Sequence, residues 1–301
     1  MLKKLSRRFL EMKVEAVVHG AVSIVNAIPL GIGSALGVDL TTKAIVEVEE
    51  SKIETINIDI YVEGEEDVDK SLAENTIREL LRIAKGTYRV DVKIYSNIPI
   101  ARGLKSSSAA ADAIVLAASK ALDLELSTDQ LVNMAVDISI KSGVTVTGAY
   151  DDALTCMIGG VNITDNLKRK ILAHWDLDED ISIIIMIPPE KFYTKEVDVG
   201  ALRSLSNLSM RAVEQALNGN IWDAMIINGL VVSSALNIDY TPVLRALKKK
   251  AIAAGISGKG PSIVAVTYPE HEEEVKKELE RFGRVVRVKP NNREAYVRIL
   301  D

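Results

Sequence analysis

The chain has 301 residues, enough for one large or two medium domains with ample core. Apolar residues make up 48% and aromatics only 4%, so Ile, Val, Leu and Ala must build that core. A net charge of −5 argues against a nucleic-acid backbone as the main partner, and a single cysteine, Cys156, excludes an internal disulfide.

The opening stretch, Met1–Lys13, carries five basic residues but no apolar core of signal-peptide length. No apolar run approaches the roughly 20 residues that span a bilayer, so a soluble, cytoplasmic chain with no membrane partner is expected. Strands are predicted at Val14–Val18, Val22–Ala27, Ala44–Glu49 and Ile53–Ile60, from short runs rich in Val and Ile or from strict alternation. Between the second and third, Pro29–Gly37 reads as a glycine-bearing, hairpin-type loop. Helical spacing follows over Asp67–Lys85, then strand over Val90–Tyr95. A helix is predicted from about Ser108 to Leu122 and another over Thr128–Lys141, capped by Ser127 or Thr128.

After Asn166 the character changes. Ile181–Ile187 is continuously apolar, as a strand buried on both faces would be. Helices are predicted at Leu202–Leu217, Ile221–Leu236 and Pro242–Ala254. Strand Ser262–Thr267, helix Pro269–Phe282 and strands Val285–Val288 and Ala295–Leu300 complete the chain. Strands first and a mixed half afterwards suggest an α+β protein whose two domains, 1–165 and 166–301, meet near residue 165.

The most informative segment is Pro99-Ile-Ala-Arg-Gly-Leu-Lys-Ser-Ser-Ser-Ala109, a short loop running into an alanine-rich helix. A helix start presents unpaired N–H groups and the positive end of the dipole, a natural seat for phosphate. One helix cap needs one hydroxyl; three serines beside a lysine exceed it. Gly255-Ile-Ser-Gly-Lys-Gly-Pro261 reads first as a helix C-cap, with Gly255 at positive φ, and a turn. Its further pair Gly258 and Gly260 around Lys259 goes beyond a stop signal. Tyr150-Asp151-Asp152-Ala153 is either a turn with a helix N-cap or the place of a base or charge stabiliser aimed at a hydroxyl. Other chemistries lack parts: there is no Walker phosphate loop, no dinucleotide fingerprint and no nucleophile elbow. The histidines, 19, 174 and 271, have no metal-ligand spacing, and Cys156 lies in an apolar segment that reads as core.

Together these segments resemble the GHMP kinases. The central signature P-x-x-x-G-L-x-S-S-[SA]-A is met at Pro99–Ala109, and the C-terminal G-x-x-G-x-G-P-[ST] at Gly255–Ser262. A weaker N-terminal counterpart lies at His19–Asn26, so the resemblance spans nearly the whole chain. Lys105 followed by three serines, Thr147–Ala153 and Gly159–Asn166 are most similar to the archaeal-type shikimate kinases.

The resemblance implies a two-domain α+β fold, the N-terminal half like domain 2 of ribosomal protein S5 and the C-terminal half ferredoxin-like. It implies ATP as co-substrate, Mg²⁺, and phosphorylation of the 3-hydroxyl of shikimate. Homoserine or mevalonate kinase, or a nucleotide-binding regulator without catalysis, are the alternatives. ATP would be held by Pro99, Ile100, Ala101, Arg102, Gly103, Leu104, Lys105, Ser106, Ser107, Ser108 and Ala109, with Gly258, Lys259 and Gly260. Ser108 and Asp137 would hold the metal, and Asp151 aligns with the family's catalytic base. Where mevalonate kinase-like members carry an N-terminal lysine this chain has Ala21, so cationic help falls to Lys105, Arg102 or Lys259.

Overall fold

The computed structural model describes residues 12–177 and 180–300, so most of the basic opening stretch lies outside the described residues. The first sheet starts from a long antiparallel hairpin, β1 (Met12–Val25) with β2 (Ile32–Glu50). The sequence suggested two short strands where β1 is one. It runs on because it is buried without a break from Val14 to Val25, so no solvent-facing residue interrupts it. The predicted loop Pro29–Gly37 also shrinks to a turn. Gly33 and Gly37 lie inside β2, where other chain segments press too close for a side chain: a Cβ on Gly37 would meet the Asn291 carbonyl at 2.5 Å.

Along its length β2 changes partners, from β5 (Val161–Asp165) to β4 (Tyr88–Ser96). β3 (Thr55–Val62) lies parallel to β4, joined to it through helix α1 (Ser71–Ala84). β6 (Lys170–Trp175) pairs with β5, and the last strand, β11 (Tyr296–Leu300), returns to pair with β1. The first sheet therefore takes strands from beyond residue 165. Helices α2 (Ser106–Ala121), α3 (Thr128–Lys141) and α4 (Tyr150–Ile158) pack together, α2 and α4 lying on β1 and β2. α3 starts where the sequence placed it, through a reciprocal capping box between Ser127 and Gln130.

The second sheet contains β7 (Ser182–Ile187), β8 (Ala253–Ile256), β9 (Ile263–Thr267) and β10 (Arg284–Val288), all antiparallel in the order β10-β7-β9-β8. Fourth, first, third, second is the ferredoxin-like order. The unbroken apolar run of β7 follows from its position. Ile183, Ile185 and Ile187 enter the main core shared with the first sheet, while Ile184 and Met186 enter a second core. Helices α8 (Thr241–Lys248) and α9 (Glu272–Leu279) close that second core with Val243, Ala246, Val275 and Leu279.

The predicted helix Leu202–Leu217 is broken at Leu205 into α5 (Val199–Ser204) and α6 (Ser206–Leu217). Helix α7 (Ile221–Leu236) matches its prediction. The helix expected over Pro242–Ala254 stops at Lys248, and Ala253–Gly255 are strand. Gly255 is thus no helix cap and has no positive φ. It is glycine because a Cβ there would meet the Met225 carbonyl of α7 at 2.6 Å. No helix among the described residues is long and apolar enough to cross a membrane.

Candidate active site

Two loops meet here, one following β4 of the first sheet and the other linking β8 to β9 of the second. The first, Pro99–Lys105, needs unusual backbone: Ala101, Gly103 and Lys105 all have positive φ. At Gly103 this is compounded by contact, since a Cβ would sit 2.1 Å from the Ser257 carbonyl of the second loop. Ser257, fully buried, joins three segments. Its hydroxyl accepts from the Ser23 N–H at 3.0 Å and donates to the Gly103 carbonyl at 2.7 Å. Asn26 adds a second tie, its amide donating to the Gly258 carbonyl at 2.8 Å while Asn228 Oδ1 accepts from the Asn26 N–H.

The loop delivers α2 with Lys105 in the left-handed region at the N-cap and no side-chain cap. None of the three serines spends its hydroxyl on capping, so the first-turn N–H groups and the hydroxyls face a cleft together. That is the arrangement an anion requires.

The two acids stand in the first turn of α4, which a left-handed Ala149 introduces, and they divide their partners. Asp151 is buried and accepts from Asn166 Nδ2 at 2.6 Å. Thr164 Oγ1 and the Asp151 N–H both donate to Asn166 Oδ1, fixing which way that amide points. Gly33 makes the room: a Cβ there would lie 2.2 Å from Asp151 Oδ2. Burial and then the charge of Asp152 push the Asp151 carboxyl up to about 7, while Lys105 and the Asn166 hydrogen bond pull the other way.

Asp152 instead pairs with Lys105 at 2.9 Å, and Lys105 also donates to Ser23 Oγ at 2.6 Å. Burial opposes the charge on this lysine, but Asp152 and Asp151 outweigh it and hold it above the usual lysine value. Cys156, one turn further along α4, is fully buried with its thiol pushed well up by burial, in keeping with a core residue.

Two clefts open on these groups. The smaller, of about 130 Å³, is lined by Ser23, Asn26, Lys105, Thr147, Asp151 and Asp152 among others. The larger, of about 460 Å³, has apolar walls from Ile60, Val62, Ile98, Ile100, Phe192 and Tyr193. Ser106, Ser107 and Lys259 line both, so the head of α2 is their common wall.

Most of the loop residues expected to bind ATP line one or both clefts, but five of the expected site residues line neither. Arg102 lines neither cleft; it donates to the Pro189 carbonyl at 2.6 Å. Gly260, likewise outside both, packs against Ile238. Asp137 is exposed on α3 and ion-paired with Arg169, because the helical spacing that buries Val136 and Ser139 turns it outward. Pro99 and Ala109 are buried supports rather than lining residues. Asn26, Asn166, Gly33 and Ser257 were not singled out as site residues. Their signal is a polar or glycine residue inside a buried strand or at its end.

Comparison with known proteins agrees with this geometry. The model for the GHMP kinases N terminal domain matches residues 71–160, and that for GHMP kinases C terminal matches 207–285. The chain belongs to the GHMP kinase family. Among its relatives are the shikimate kinase of Methanothrix thermoacetophila, 37% identical over 94% of this chain and 96% of the relative, and that of Pyrococcus furiosus, 36% identical over 88% and 95%. The fold matches homoserine kinase from Cytophaga hutchinsonii with a TM-score of 0.75 at 17% identity, covering 99% of this chain and 100% of that one. Mevalonate kinase of L. major in complex with R-mevalonate gives 0.76 at 14% identity, over 92% and 96%.

Proposed function

We propose that this chain is a shikimate kinase, transferring the γ-phosphate of ATP to the 3-hydroxyl of shikimate to give shikimate 3-phosphate and ADP. The observation that carries the reading is the likeness to shikimate kinases across both halves of the chain. The two clefts support it. The larger has the apolar walls a nucleoside needs, and a triphosphate leaving it would run onto the N–H groups and hydroxyls at the head of α2. The smaller suits a compact polyol, with Asp151 facing the incoming hydroxyl as base.

Positioning and charge neutralisation dominate phosphoryl transfer, and the phosphate cradle at the head of α2 and the Asp151 carboxylate would supply the positioning. Mg²⁺ binds through one or two carboxylates together with substrate phosphates. No group of three or more His, Cys, Asp or Glu able to hold a metal exists among the described residues. The hard oxygens of Ser108 and Asp152 in the smaller cleft fit that sparse requirement. Bound there, the ion would neutralise charge on the phosphates.

An ADP-release assay with shikimate, homoserine and mevalonate tests the reading. Turnover on shikimate alone is expected. Preference for either other acceptor would replace it with another kinase of the family, and ATP binding without turnover on any would indicate a regulator.

A further inference from the structure

Three cations stand near the phosphate loop, and their partners differ. Lys105 is matched by Asp152, and Arg102 is turned away onto the Pro189 carbonyl. Lys259 has no ion-pair partner among the described residues; its ammonium donates only to the Thr194 hydroxyl. It is also the one cation among the described residues that lines both clefts. Burial, and then repulsion from Lys105, lower it to about 8, so the ammonium persists at neutral pH and an arriving anion would stabilise it further.

We propose that Lys259 is a catalytic residue that holds the phosphoryl group in flight, its ammonium lying against the non-bridging oxygens as the group passes from the larger cleft to the smaller. This rests on the kinase reading above. In the step, the acceptor oxygen forms a bond to the γ-phosphorus, and its proton passes to the Asp151 carboxylate. The bond from that phosphorus to the β–γ bridging oxygen breaks, and its electron pair leaves on ADP. Charge spreads over the three oxygens between the clefts, where Lys105 is already neutralised and Lys259 is not.

The test is steady-state kinetics of Lys259→Met and Lys259→Arg with ATP and shikimate. Removing one preorganised donor costs about 10²–10³-fold in kcat. We expect Lys259→Met to lose that much while both KM values stay within about threefold, and Lys259→Arg to recover part of it. Equal melting temperatures establish that the variants fold. A second readout needs no turnover: wild type should bind ADP far more tightly with aluminium fluoride, a planar phosphoryl mimic, and Lys259→Met should lose that gain while binding ADP alone normally.

A tenfold rise in the shikimate KM with kcat unchanged would overturn the proposal, making Lys259 an anchor for the acceptor carboxylate. Near-wild-type kcat, or an intact aluminium fluoride effect, would also overturn it. If wild type prefers a different acceptor, the shikimate reading falls and the Lys259 test proceeds with that acceptor. If none turns over, the fluoride binding comparison alone decides.

Discussion

The sharpest consequence concerns Asp151. Asp151→Asn keeps the shape and can still accept from Asn166 Nδ2, but it cannot take a proton. General-base assistance is worth about 10²–10⁴-fold, which at 1.36 kcal/mol per tenfold is about 3–5 kcal/mol of barrier. The expected loss is therefore in kcat, with ATP affinity nearly unchanged. The same carboxyl sets a pH limb. It is raised from 3.8 to about 7, so kcat/KM should climb as pH rises through 7 and, with Lys259 lowered to about 8, fall again above that value. Asp152→Asn removes a neighbouring negative charge that holds Asp151 up, and should move the limb to lower pH. Stability runs the opposite way. A carboxyl raised in the folded state withholds stability as pH climbs from 3.8 to 7, and all of the loss is present above 7. For this buried group the loss is on the order of 4 kcal/mol. Asp151→Asn should accordingly melt several degrees above wild type at pH 8, the gain vanishing toward pH 4. Rate against pH and calorimetry at both pH values read these outcomes. Near-normal turnover in Asp151→Asn, or an unmoved limb in Asp152→Asn, would refute the assignment.

Gly33→Ala places a Cβ 2.2 Å from Asp151 Oδ2, so it should cut kcat as severely as Asp151→Asn while circular dichroism and ADP binding stay normal. Ser257→Ala strands the Ser23 N–H and the Gly103 carbonyl, at about 1–3 kcal/mol for a buried group left unpaired. Thermal melts should show that loss, and the KM for ATP should rise as the phosphate loop loosens. Asp112, on α2, is buried with neither carboxyl oxygen hydrogen-bonded among the described residues; burial, then Asp152, raise it well above the usual carboxylate value. It therefore withholds stability progressively as pH rises from 3.8, and Asp112→Asn should raise the melting temperature at pH 8 more than at pH 4, with activity retained.

What could be read in the sequence was whatever is local. The surplus of serines after Lys105 and the helix cap at Ser127 each lie within a few residues and need no distant partner. The apolar run of β7 announced burial on both faces, which its two cores supply. What failed was whatever depends on a neighbour far along the chain. Gly33 and Gly37 looked like loop glycines; they lie in a 19-residue strand and make room for Asp151 and Asn291. The Ala-rich end of the helix predicted over Pro242–Ala254 became β8 because α7 packs onto it so closely that Gly255 and Gly229 must both lack side chains. Asp137 was chosen as the nearest helix carboxylate to complete the metal site, and only the rotation of α3 about its axis decides that it faces water.

The charge balance explains why the acids and cations of this cleft cannot be exchanged freely. Asp112, Asp151 and Asp152 crowd the packing of α2 and α4, and among the described residues Lys105 is the one cation buried among them. One lysine neutralises one of these carboxylates, and it pairs with Asp152. The other two resist ionisation: burial holds Asp112 well above the usual carboxylate value and raises Asp151 to about 7. A carboxyl poised there can take a proton from a hydroxyl near neutral pH and release it again. An ordinary surface aspartate, at the usual carboxylate value, would hold that proton far more weakly. The lysine beside Asp152 therefore does more than bind phosphate. By satisfying the neighbour, it leaves Asp151 the carboxylate free to accept the acceptor's proton.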